Sequence, residues 1–137
     1  MIVKLTRVAT VAFAVGAAVV AAGTAQPAVA KPAELKYCDY ICTAAAEITA
    51  PAYKYEAQVD NKHTATGSWI WVWGKGKGAH ADYYQEGDDQ MRQIFSPKNG
   101  SNSKELTRKV VQFRVCGPNG IGGDFCSDWW APKPWRS

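Results

Sequence analysis

Ser68-Trp69-Ile70-Trp71-Val72-Trp73 is the stretch whose reading decides the fold. Its aromatic and β-branched residues read as a β-strand that is apolar on both faces. Successive side chains of a strand point to opposite faces, so Trp69, Trp71 and Trp73 share one face at a spacing of about 7 Å. Ile70 and Val72 take the other. A sheet that packs on a second sheet buries one face only. Two assignments follow. If Ile70 and Val72 are buried, three indoles are left in a row on the surface, and an apolar patch of that size marks a binding site. If the indoles are buried, they serve as core filler, which tryptophan does well.

Working outward, the same two-residue period recurs. Tyr53, Tyr55, Ala57 and Val59 alternate with Lys54, Glu56, Gln58 and Asp60. Gly74 to Gly78 turns the chain. His80–Gln85 and Gln90–Phe95 form a hairpin around Glu86-Gly87-Asp88-Asp89, and residues 96–103 read as a polar loop. Leu106–Cys116 is the longest strand, with Val111, Phe113 and Val115 on one face and Val110, Gln112 and Arg114 on the other. Asp124–Trp130 closes a last hairpin. Six or seven short strands with Gly- and Asn-rich turns predict a mainly β protein, a small antiparallel β-sandwich, with a small β-barrel as the alternative. Ahead of them, Asp39 is placed to cap a short helix over Thr43–Glu47, ended by Pro51. Ile41, Thr43, Ile48 and Thr49 allow an extended segment there instead.

The N-terminus has the three parts of a secretory signal peptide. Lys4 and Arg7 precede an apolar run of 15 residues, Val8–Ala22, and Ala28-Val29-Ala30 matches the small-x-small cleavage pattern. The run is short of the roughly 20 residues a spanning helix needs. The expected organisation is a leader (1–30), an Ala-rich segment (31–52), a β-rich domain (53–130) and a Pro/Trp tail (131–137). The expected product is secreted and extracellular, with no stable membrane insertion. After cleavage 14 basic residues face 12 acidic ones, and a net charge of +2 with scattered Lys and Arg gives no electrostatic case for nucleic acid. The Ala-rich leader, β-rich body and terminal two-cysteine hairpin resemble small exported proteins of high-GC Gram-positive bacteria, a bacterial style that no single motif narrows to a family.

Four cysteines, Cys38, Cys42, Cys116 and Cys126, follow the leader. An even count in an exported chain predicts two disulfides. Their spacings do not match a zinc site. Cys116 and Cys126 flank a Gly-rich loop, so a local pair across a hairpin is expected, contributing roughly 3 kcal/mol by chain entropy. Cys38 would then join Cys42. A crossed pairing of the N-terminal segment with the C-terminal hairpin remains an alternative.

Candidate chemistry is sparse. Only His63 and His80 are available as histidines, and no serine lies in a Gly-x-Ser-x-Gly elbow. Glu47, Glu56, Glu86 and Glu105 each read as surface carboxylates before they read as glycosidase acids. Asp82, Glu86, Asp88 and Asp89 cluster near one turn without the spacing of a calcium loop. No enzyme activity, cofactor or metal is expected from these patterns. The six tryptophans are the stronger signal. Trp69, Trp71 and Trp73 form one group, and Trp129, Trp130 and Trp135 the other, with neighbouring Trp129 and Trp130 pointing to opposite faces. The candidate binding surface is therefore Trp69, Trp71, Trp73, Trp130 and Trp135, with Tyr83 and Tyr84 nearby. It fits an extracellular protein partner, bound by an inhibitor, toxin component or assembly subunit. The alternative ligand is a cell-wall or environmental polysaccharide stacking on the indoles, and a small secreted hydrolase is a further alternative.

Overall fold

The computed structural model describes residues 34–135; the leader expected over 1–30 lies outside the described residues. Ten strands and no helix are present among them: β1 (Lys36–Cys38), β2 (Ile41–Ile48), β3 (Tyr53–Asp60), β4 (Ser68–Lys75), β5 (His80–Gln85), β6 (Arg92–Phe95), β7 (Gly100–Leu106), β8 (Val110–Pro118), β9 (Asp124–Cys126) and β10 (Trp130–Pro132). One sheet runs β1-β10-β8-β5-β6, with β9 also paired to β8. The other runs β2-β3-β4-β7. All pairs are antiparallel except β1 with β10. The fold is a small β-sandwich.

The strands alternate because their sequences do. Val59, Ala57 and Tyr55 of β3, Ile70 and Val72 of β4, and Cys42, Ala44 and Ala46 of β2 face inward against Ala81 and Tyr83 of β5 and Val110, Phe113 and Val115 of β8. Three large aromatics, Tyr55, Tyr83 and Phe113, are among the largest fully buried side chains, packed with the valines and isoleucines and with alanines in the space between. Tyr55 also crosses between the sheets: its hydroxyl donates to the Pro118 carbonyl at 2.6 Å. Gly117 makes room for that ring, since a Cβ there would sit 2.5 Å from it.

Several expectations are corrected. Of the helix or extended segment expected around Thr43–Glu47, the extended form is present, as strand β2; Cys42, Ala44 and Ala46 face the core at period two, and Ala side chains let β2 lie close to β8. The polar loop at 96–103 is strand from Gly100 onward, an edge strand whose Ser and Asn side chains are exposed. The long strand Leu106–Cys116 is two strands joined by a turn at 107–109. Within β8 the assigned faces hold for Gln112 to Val115 and change only at Val110 and Val111. Tyr84 pairs with Gln112 and Gln85 with Val110, leaving Val111 as an extra residue in a β-bulge. Val110 is therefore buried beside Phe113, while Val111 is exposed. The tail begins as a strand, β10, which enters the sheet between β1 and β8.

Both local disulfides are present. Cys116–Cys126 joins directly opposed residues of β8 and β9. Cys38–Cys42 spans the corner where the chain leaves β1 in one sheet and enters β2 in the other. A second tie lies at that end of the sandwich. The Lys109 side chain is 2 % exposed, and its ammonium donates to the carbonyls of Asn61 (2.7 Å), Gly67 (2.8 Å) and Thr64. Asn61 in turn donates to the carbonyls of Val110 (2.9 Å) and Lys133 (3.1 Å), and its Oδ1 accepts from Ser68 Oγ and the Val110 amide. Burial lowers the proton affinity of Lys109, opposed by the carboxylates of Asp60 and Glu86. The three carbonyls compensate the ammonium for lost water. Lys109→Met removes those donors from buried acceptors and is expected to cost about 2 kcal/mol in urea unfolding. A change within error would show that the knot does not hold the loop.

Candidate functional site

The four-stranded sheet fixes the orientation of the indoles. Ser68, Ile70, Val72 and Gly74 of β4 are buried, and Trp69, Trp71 and Trp73 between them are half-buried on the outer face. The register builds three rows across β3, β4 and β7: Asp60–Trp69–Glu105, Gln58–Trp71–Ser103 and Glu56–Trp73–Ser101. Strands lie about 4.8 Å apart, so each ring is flanked on both sides by polar side chains within contact range. Across β2 the rows continue through Ile41, Thr43 and Ala45. The result is an indole column in the interior of a sheet face, bounded by polar columns. Three carboxylates, Asp60, Glu56 and Glu105, stand beside the rings in those borders among the neutral Gln58, Ser101 and Ser103, with Lys54 and Lys75 at one end. Glu56 is paired with Lys54 at 2.9 Å, and Glu105 meets His63 Nε2 at 3.2 Å.

The remaining predicted residues do not join this surface. Tyr83 is 1 % exposed and belongs to the core, because its parity on β5 matches Ala81 and not Tyr84. Tyr84 lies on the outer face of the other sheet, with its ring 5.6 Å from that of Trp129. Trp129 is 5 % exposed, and the Arg114 guanidinium sits 4.7 Å from its ring. Trp130 pairs with Phe113 and packs against the core, with Lys36 Nζ 5.8 Å from its ring. Trp135 is half-buried rather than free in solvent. Its ring meets Tyr40 edge-on at 5.2 Å, and Lys62 Nζ lies 5.0 Å from Trp135 and 4.8 Å from Tyr40. That contact, with Lys133 Nζ on Asp39 at 2.8 Å, anchors the tail. Of the seven predicted residues, three form one surface.

The acidic turn is spent on local pairs. Asp88 accepts from the Gln90 amide at 3.0 Å and from the Arg92 guanidinium at 2.7 Å, which hold its carboxyl below the usual range. Asp82 faces away, toward Arg114 and Gln93. His63 and His80 stand on different sheets' margins, and Ser96, near His80, commits its Oγ to the Ala79 amide at 3.0 Å. The polar borders of the indole column were within reach of sequence reasoning on the β3 side, since Lys54, Glu56, Gln58 and Asp60 alternate in the chain. The β7 side was not, because a Ser- and Asn-rich strand resembles a loop.

Opposite faces of β4 should respond differently to truncation. Ile70→Ala is expected to cost about 2–5 kcal/mol by opening a core cavity, and Trp71→Ala roughly 1 kcal/mol or less. Chemical denaturation of both variants checks this; equal, large losses would mean that the indoles are core. No protein-family model matches the chain, and no curated protein or solved structure matches it.

Proposed function

We propose that the chain is a secreted, non-catalytic binding domain whose indole column docks on an extracellular protein partner, as an inhibitor, toxin component or assembly subunit. The observation that carries this reading is the row of Trp69, Trp71 and Trp73 half-buried on an outer sheet face and bordered by charged and hydroxylic side chains. An aromatic centre with a polar margin is the arrangement of protein interface cores and rims. The Asp60, Glu56 and Glu105 carboxylates suit a partner with basic residues around an apolar centre.

A second reading is supported by a different feature. Gln58, Ser101 and Ser103 set amide and hydroxyl groups beside the rings, and such groups pair with the hydroxyls of a sugar stacked on an indole. The two readings separate in a binding assay. Immobilised wild-type protein and Trp71→Ala are exposed to culture fluid and, separately, assayed on chitin, cellulose and peptidoglycan. A discrete protein retained by wild type and lost by Trp71→Ala is the expected result. Retention on a polysaccharide that the substitution abolishes would replace the protein partner with a glycan. Equal behaviour of both proteins on every bait would remove the indole column as a binding surface.

A further inference from the structure

The six-stranded sheet carries a second arrangement, away from the indole column. His80 opens β5, and its ring stands at the wall of an open pocket of about 530 Å³ lined also by Gln93, Phe95, Ser96, Pro118 and Asp124. His80 Nε2 lies 3.4 Å from Asp82 Oδ1 and 3.8 Å from Asp124 Oδ2. The His80 side chain is only 13 % exposed, and its ring packs against that of Phe95 at 5.4 Å between centroids. We propose that His80, Asp82 and Asp124 form a binding site for a divalent transition-metal ion of the zinc class, with the pocket as its entry path.

Three observations carry the assignment. The first is spacing. Zinc–nitrogen and zinc–oxygen bonds of about 2.0–2.2 Å in a tetrahedron place ligand atoms roughly 3.4 Å apart. Nε2 and Asp82 Oδ1 already stand at that separation, and Oδ2 of the half-exposed Asp124 at the start of β9 lies 3.8 Å from Nε2.

The second is support behind the ligand. Carboxylates that bind metals are themselves held by hydrogen bonds. Asp82 receives Arg114 Nε on Oδ2 and Gln93 Nε2 on Oδ1, both at 2.8 Å. Arg114 is fixed in turn against Trp129. Asp82 is therefore aimed by residues from β6 and β8 while keeping a lone pair toward His80.

The third is charge. Asp82 and Asp124 against Arg114 leave one negative charge for a cation to meet, and the pocket leaves space for water or a small ligand in the remaining positions. Cys116 Sγ also lies close, within 4.8 Å of His80 and Asp82 ligand atoms, but it is bonded to Cys126 and offers no thiolate.

Isothermal titration of the purified, metal-free protein with Zn²⁺ and Co²⁺ under non-reducing conditions tests the site. The expected result is one ion per chain, with affinity lowered by about tenfold or more in His80→Ala and in Asp124→Asn, and about tenfold in Gln93→Ala. Asp124→Asn changes a half-exposed side chain, so it reports on the ion even if His80→Ala perturbs folding. Trp71→Ala should bind the ion as wild type does. Absence of saturable binding would overturn the proposal. So would binding that survives both His80→Ala and Asp124→Asn, which would place the ion elsewhere, or binding seen only after reduction, which would assign it to a released Cys116 thiolate.

Discussion

Strand β4 has two apolar faces and can offer only one of them to the opposing sheet. Everything on the four-stranded sheet depends on which. Two features set the phase. The space between the sheets already holds Tyr55, Tyr83 and Phe113, and adding three indoles would overfill a layer about 10 Å thick. The ends of the strand also count. Ser68 shares the inward parity of Ile70, and its hydroxyl is tied to Asn61 and the Val110 amide. Gly74 shares it too, and a Cβ there would come within 2.4 Å of the Lys77 carbonyl. A one-residue slip would expel Ser68 from its knot and drive Trp73 toward that carbonyl. A surface row of tryptophans is thus the consequence of a core already filled and a strand pinned at both ends.

The same knot links the sandwich to its loops. Lys109 and Asn61 together bind the β3–β4 loop, the start of β8 and the tail at Lys133. Buried polar networks of this kind are favourable only when every member is satisfied, and no buried side-chain nitrogen or oxygen lacks a partner among the described residues. The loop that follows Asp60 is therefore held in place, and with it the end of the indole column nearest Trp69. In the other sheet, the Cys116–Cys126 bridge ties β9, which carries Asp124, to β8.

Much of this was legible in the sequence. The period-two alternation of Tyr53–Asp60 and Ser68–Trp73, the Gly-rich turns and the local cysteine spacing were enough for a disulfide-bonded β-sandwich. The phase of β4 was not legible, since both of its faces are apolar and the deciding contacts come from Tyr55, Tyr83 and Phe113 elsewhere in the chain. Strand β7 was hidden because Gly100–Leu106 draws its pairing from β4 rather than from its own side chains. The bulge at Val111 exchanged the inferred faces of Val110 and Val111 alone, while Phe113 and Val115 keep the inward face read from the sequence. Tyr83 reads as a surface aromatic beside Tyr84, and its strand parity buries it; of the neighbouring Trp129 and Trp130, Trp129 is the buried one and Trp130 packs half-buried against the core.

Oxidative footprinting of the purified protein, read residue by residue by mass spectrometry, tests the central claim most directly. Trp69, Trp71 and Trp73 should each be modified far faster than Trp129, which lies sealed between Tyr84 and Arg114. Protection of the three to the level of Trp129 would contradict the outward phase of β4 and remove the surface on which the proposed function rests.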